Sequence, residues 1–222
     1  MIQAVVFDLD GVLVDSEPVW EQVRRRVVAD YGGHWDADTQ GRLMGMSTGE
    51  WSAYLSSGLG VRLSPSEVAD VVIEAMASAY REHLPLLPGA VEAVRRMGSR
   101  WPLGLASSSP PSLIETVLDA AALRPMFRVV MSTEQVARGK PAPDIYLEVA
   151  ARLAVPPTGC AAVEDSSNGL RAAAAAGFAV IAVPRPAYPP APDALKAARL
   201  VLPGLAELTV DAVDALGPPG PG

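Results

Sequence analysis

Ala4-Val5-Val6-Phe7 runs directly into Asp8-Leu9-Asp10-Gly11-Val12-Leu13-Val14-Asp15-Ser16-Glu17-Pro18, and this stretch decides the fold. Four apolar residues in a row, three of them β-branched or aromatic, make a strand with no polar face. Such a strand belongs inside a parallel sheet covered by helices on both sides. Two carboxylates follow at its carboxyl end, the place where ligands bind in an open parallel sheet. Acids this close repel unless a cation or a proton neutralises one of them, and Gly11 allows a sharp change of direction after them. The pair is either a ligand-binding motif or a set of turn and helix-capping residues.

Outward from this strand, similar short apolar runs recur at Leu103–Ala106, Val129–Met131, Ala161–Val163 and Val180–Val183. Helical patterns lie between and around them, at about Ala90–Met97, Pro111–Ala121, Asp144–Leu153 and Gly169–Ala176. The alternation predicts an α/β fold with a Rossmann-like parallel sheet core. Asp144 stands where an N-cap is expected, and Gly177 where a glycine ends a helix. Between Ser16 and Leu86 the alternation fails. Val19–Asp30 and Ser64–His83 read as helices, the second opened by a capping box with Ser64 at N-cap, Pro65 at N1 and Glu67 at N3. The expected organisation is therefore core (1–15), a helical cap inserted after the first strand (16–86), core again (87–216) and a disordered Pro/Gly-rich tail (217–222). Hinges of the cap are expected near Val14–Glu17 and Leu84–Pro88.

The chain has 222 residues, half of them hydrophobic and 19% charged, with a net charge of −7. That is enough to bury a real core, and the acidic balance argues against a nucleic-acid partner. Arg24-Arg25-Arg26, the one compact basic cluster, reads as a solvated helix face. Cys160, the single cysteine, excludes an internal disulfide and reads as a buried strand residue. With no basic leader and no apolar run of membrane-spanning length, the expectation is a cytoplasmic chain with no membrane partner. A monomer is expected.

The other strand ends carry polar residues in a definite order. Leu105-Ala106 runs into Ser107-Ser108-Ser109, hydroxyls and backbone N–H groups near a helix start, suited to an anion. Lys140, one of only two lysines in the chain, sits in Gly139-Lys140-Pro141-Ala142-Pro143-Asp144, where it can hold a phosphate and offset the acids, or simply be a surface lysine. Ala162-Val163 ends in Glu164-Asp165, a second acidic pair whose oxygens suit Mg²⁺. Each piece alone is weak; carboxylates, hydroxyl, lysine and carboxylates in that order are specific.

Asp8-Leu9-Asp10-Gly11, Ser107, Lys140 and Glu164-Asp165 resemble the four motifs of the haloacid-dehalogenase-like superfamily. Asp15-Ser16-Glu17-Pro18, the helical insert and the Gly139–Asp144 loop are similar to its β-phosphoglucomutase-like branch, which includes sugar-phosphate phosphatases. The resemblance covers nearly the whole chain. It implies an enzyme hydrolysing a small phosphorylated metabolite, a sugar or polyol phosphate, with Mg²⁺ as cofactor. Asp8 would be the nucleophile that forms an aspartyl-phosphate, and Asp10 the acid and then the base. Asp8, the Asp10 carbonyl, Glu164 and Asp165 would surround the metal, with Ser107, Ser108 and Lys140 on the phosphate.

Within that family, Asp10 argues against a haloalkanoate dehalogenase. The absence of lysine between Asp15 and Leu86 excludes Schiff-base phosphonate chemistry as the family performs it. Trp20 stands where the mutase has its cap histidine, and Thr48 where it has a phosphate-gripping arginine, so hydrolysis is favoured over a phosphosugar mutase. A phosphoacceptor switch of the receiver-domain kind and a catalytically inactive binding module are the non-enzymatic alternatives. The cap candidates for substrate contact are Glu17, Trp20, Gly45, Ser47 and Trp51. Trp20 and Trp51 either face a sugar ring or pack the cap interior, and Glu17 either bonds a substrate hydroxyl or pairs with a cap arginine. His34 and His83 are assigned no role.

Overall fold

The computed structural model describes residues 1–43 and 46–217. Gly45 and the tail beyond Gly217, expected to be disordered, lie outside the described residues. The chain divides into two compact units, Met1–Asp15 with Pro85–Gly222, and Ser16–Leu84.

After the first strand, β1 (Ala4–Phe7), the chain leaves for the second unit, whose helices are α1 (Glu17–Asp30), α2 (Thr39–Leu43), α3 (Thr48–Ala53) and α4 (Pro65–Glu82). Ser64 caps α4 as its sequence predicts: its hydroxyl accepts from the Glu67 N–H, and its own N–H donates to Glu67 Oε2 at 2.8 Å. Buried Val68, Val72, Met76 and Tyr80 recur every fourth residue of α4, the spacing of one helix face, and that face packs on α1. Trp20, Val23, Arg24, Val27 and Val28 form the buried stripe of α1.

Arg24 thus corrects the reading of Arg24-Arg25-Arg26 as a solvated face. Arg25 and Arg26 are exposed, but Arg24 falls four residues after Trp20 and is 6% accessible. Its guanidinium lies 4.4 Å from the Trp20 ring centroid and 5.2 Å from that of Trp51, and the two indoles are themselves 6.0 Å apart. A guanidinium is weakly hydrated and stacks on aromatic faces, so two indoles offset much of the cost of burying it.

Back in the first unit, β2 (Leu103–Ser107), β3 (Phe127–Ser132), β4 (Cys160–Glu164), β5 (Ala179–Ala182) and β6 (Leu200–Val201) join β1 in one sheet, ordered β3-β2-β1-β4-β5-β6. Every pairing is parallel. The sequence predicts five of these strands; β6 is two residues long at the sheet edge, too short to leave a pattern. β3 starts at Phe127 rather than Val129 because exposed Arg128 interrupts the apolar run; Phe127 packs edge-on against Phe7, 6.3 Å between centroids.

Helices α5 (Ala90–Gly98), α6 (Pro111–Ala120), α7 (Asp144–Leu153) and α8 (Ser167–Ala175) cover the sheet. β1, β2, β4 and β5 are buried at every residue, as central parallel strands must be. Asp144 does not cap α7 from outside. It is the first helical residue, and Arg138 Nη2 holds its carboxylate at 2.8 Å. Gly177, with φ +84°, follows α8 as its sequence predicts.

Where the chain departs and returns, Val14 and Leu86 form an antiparallel bridge, and Asp15 N–H donates to Pro85 O at 2.8 Å. The two connections are pinned side by side.

Met76 is fully buried in the second unit, so Met76→Ala is expected to destabilise that unit by about 2–5 kcal/mol. Three of the four tryptophans (Trp20, Trp35 and Trp51) lie there, so urea unfolding followed by indole fluorescence reads the shift directly.

Candidate active site

The strand order explains why distant motifs meet. β1 has β2 on one side and β4 on the other, so successive crossovers leave it in opposite directions and a crevice opens at its carboxyl end. Asp8 follows β1, Ser107 ends β2, Glu164 ends β4 and Asp165 follows it. Parallel register keeps these ends level, with Phe7 opposite both Leu105 and Val163. Lys140 reaches the same point from the loop before α7.

The Lys140 side chain is 5% accessible. Its ammonium donates to Asp8 Oδ1 at 2.9 Å, to Glu164 Oε1 at 2.6 Å and to the carbonyl of Ala106 at 2.9 Å. All three ammonium protons are therefore used. Lys140 is no surface lysine, and any bond from it to a phosphate must replace or share one of these three. Glu164, fully buried, accepts a second proton on the same oxygen from Tyr146 Oη, also at 2.6 Å.

Asp10 is partly exposed. Its Oδ2 accepts from Ser109 Oγ at 2.7 Å and from Ser107 Oγ at 3.2 Å. The Ser109 N–H donates to Ser107 Oγ at 2.9 Å, and Ser132 Oγ donates to the Ser109 carbonyl at 2.7 Å. The serine loop is thus tied at both ends, whereas Ser108 is exposed.

Two glycines allow the acids to approach the backbone. A Cβ on Gly11, where φ is +77°, would lie 1.9 Å from Asp165 Oδ2. One on Gly169, at the start of α8, would lie 1.9 Å from Glu164 Oε2. A side chain at either place would have to displace the acid beside it.

Ligand oxygens of Asp8, Glu164 and Asp165 lie within 4.8 Å of one another, and Lys140 is the one ammonium among them. Burial pushes Asp8 up to about 8; Lys140 opposes this, while Glu164 and Asp10 reinforce it. Burial and the same crowding raise Asp165 well above the usual carboxylate range. Lys140 is pushed upward by Asp8 and Glu164 despite its burial, so it stays charged. Tyr146 is raised by burial and by Glu164, so it stays a phenol and a donor. Among the described residues Asp165 Oδ1 is buried with no hydrogen-bond partner, a costly state that a cation would relieve. A cluster of hard oxygen donors with surplus negative charge and an unpartnered oxygen fits a divalent cation of the Mg²⁺ type.

Of the sequence candidates, Asp8, Asp10, Ser107, Lys140, Glu164 and Asp165 converge. The cap candidates belong to the second unit. There Glu17 Oε2 accepts from Gln40 Nε2 at 2.9 Å, Trp20 and Trp51 are buried around Arg24, and Ser47 is exposed and caps α3. Gly45 lies outside the described residues. Sequence reasoning missed Ser109 and Tyr146. Ser109 is two residues past Ser107 in the same serine run. Tyr146 shares the apolar stripe of α7 with Ile145, Val149 and Leu153, where an aromatic residue reads as core.

The model of the haloacid dehalogenase-like hydrolase family matches residues 2–177. Hexitol phosphatase B of Escherichia coli O157:H7 is 39% identical over 222 residues, covering 97% of each chain. A phosphorylated carbohydrates phosphatase of Thermotoga maritima is 37% identical over 178 residues, 80% of this chain and 82% of that one. Among solved structures, CbbY from Rhodobacter sphaeroides in complex with phosphate superposes with a TM-score of 0.86 at 27% identity, covering 96% of this chain and all of that one. Motif order, sheet order and these similarities agree: the chain belongs to the haloacid dehalogenase-like hydrolases.

Proposed function

We propose that this chain is a Mg²⁺-dependent phosphatase of a small phosphorylated metabolite, a sugar or polyol phosphate, with Asp8 as nucleophile. The observation that carries the reading is Asp8 at the end of β1, held by Lys140 at 2.9 Å, with Asp10 two residues on and tethered by two serine hydroxyls. A nucleophile and a separate acid–base group on one turn are what two-step phosphoryl transfer requires. The hexitol phosphatase and carbohydrate phosphatase relatives support the substrate class.

In the first step an Asp8 carboxylate oxygen bonds to phosphorus, the ester P–O bond breaks, and protonated Asp10 gives its proton to the leaving alkoxide. In the second, Asp10 takes a proton from water, whose oxygen bonds to phosphorus as the bond to Asp8 breaks. Asp8 is regenerated and inorganic phosphate leaves. Ser109 holds Asp10 through both proton transfers. Ser107, on releasing its longer bond to Asp10, and backbone N–H groups of its loop would bind phosphoryl oxygens where charge accumulates. Asp8, Asp165, the Asp10 carbonyl and Glu164, directly or through water, would hold Mg²⁺. When bound, the ion offsets the carboxylate charge and stabilises charge on the transferring group.

Oε1 of Glu164 already accepts from Lys140 and Tyr146, which leaves Oε2 as the oxygen Glu164 would offer a metal. In the cap, the burial of Trp20 and Trp51 around Arg24 favours a packing role for these residues over contact with a sugar ring.

Phosphate release from a panel of hexose, hexitol and glycolate phosphates with Mg²⁺ tests the reading. Turnover should vanish in Asp8→Asn and fall by about 10²–10⁴ in Asp10→Asn. Isomerised product without free phosphate would instead identify a mutase, and inactivity across the panel a binding module. Metal binding has its own readout. Mg²⁺ at about a hundred times its Kd should stabilise the protein by about 2.7 kcal/mol in thermal unfolding. Gly11→Ala, whose Cβ displaces Asp165, should lose most of that gain.

A further inference from the structure

We propose that Tyr146 is a positioning residue of the reaction: its hydroxyl fixes Glu164, and Glu164 in turn sets the Lys140 ammonium on Asp8. The inference rests on the phosphatase reading for its kinetic consequence, though not for its geometry.

The chain of contacts is short and buried throughout. Tyr146 Oη and Lys140 Nζ each donate to Glu164 Oε1 at 2.6 Å, and Lys140 Nζ donates onward to Asp8 Oδ1 at 2.9 Å. Tyr146 and Glu164 are fully inaccessible. A carboxylate oxygen with two donors has both lone pairs engaged, so its direction is fixed. The other oxygen of Glu164 lies against Gly169 with no room for a Cβ, and Ser166 Oγ donates to it at 3.3 Å.

A lysine stem turns about four bonds and does not place its own ammonium. The acceptors around it do so, and Glu164 is one of two charged ones. The phenol also takes up part of the Glu164 charge. Without it, that carboxylate pulls harder on Lys140 and draws it from Asp8. The Tyr146 ring is fixed independently, stacked edge-on with Phe178 at 5.2 Å between centroids, and Lys140 Nζ lies 5.2 Å from its centroid. Tyr146→Phe therefore removes the hydroxyl while keeping the ring.

The test uses the scarcity of lysine. Only Lys140 and exposed Lys196 contribute side-chain signals, so spectra of protein with ¹³Cε-labelled lysine contain two methylenes, assigned with Lys196→Arg. In the wild type, the Lys140 methylene protons should be split and displaced from those of Lys196. In Tyr146→Phe they should move toward the Lys196 position. With p-nitrophenyl phosphate and saturating Mg²⁺, kcat should fall about tenfold, the loss expected for one hydrogen bond to a charged group, with KM within about twofold.

Leu153→Ala removes buried packing from the same helix about 10 Å along it from Tyr146, so it should lower the melting temperature but leave both readouts unchanged. An unshifted Lys140 signal in Tyr146→Phe overturns the proposal. So does an unchanged kcat, or a Leu153→Ala variant that reproduces both effects. If the wild type hydrolyses no phosphomonoester but the Lys140 signal still moves, the phosphatase reading fails and the positioning stands.

Discussion

A single ammonium set among buried carboxylates governs the first unit. Lys140 is the one positive group in contact with Asp8 and Glu164, and Asp165 adds a third acid in the same cluster. Unpaired charges at this depth cost several kcal/mol each. The sheet order, the serine loop and the start of α7 all serve to bring lysine, acids and neutral donors to one point. Ionising all three acids together would need a second positive charge beside Lys140, so the cluster fits a cation better than an apolar ligand.

Burial here separates groups that are alike in sequence. Asp8 and Asp10 stand two residues apart on one turn, yet one is buried against lysine and the other is partly exposed between two hydroxyls. Glu164 and Asp165 are adjacent, yet one has an oxygen doubly hydrogen-bonded and the other an oxygen with no partner. In the proposed reaction those differences divide labour between nucleophile and acid, and between lysine anchor and metal ligand.

Much of this is legible in the chain because strand ends carry the chemistry. A fully apolar run followed by acids announces both a central strand and a site, so Asp8, Ser107, Lys140 and Asp165 can be found without coordinates. Tyr146 cannot: its hydroxyl acts from a helix position whose spacing says only that it is buried. Arg24 fails in the opposite sense. Its charge suggests solvent, and only helical phase relative to Trp20 reveals the indoles around it. β6 and the capping of α7 escape for a plainer reason, since two residues make no periodicity and Arg138 lies outside the helix it affects.

The junction at Val14 and Leu86 has a consequence for how the chain could be rebuilt. The polypeptide departs and re-enters the sheet unit across two backbone hydrogen bonds, Asp15 N–H to Pro85 O and Leu87 N–H to Leu13 O, so its two cut ends lie side by side. With its ends this close, the second unit could be cut out and the gap closed by a short turn that leaves the strand register as it is.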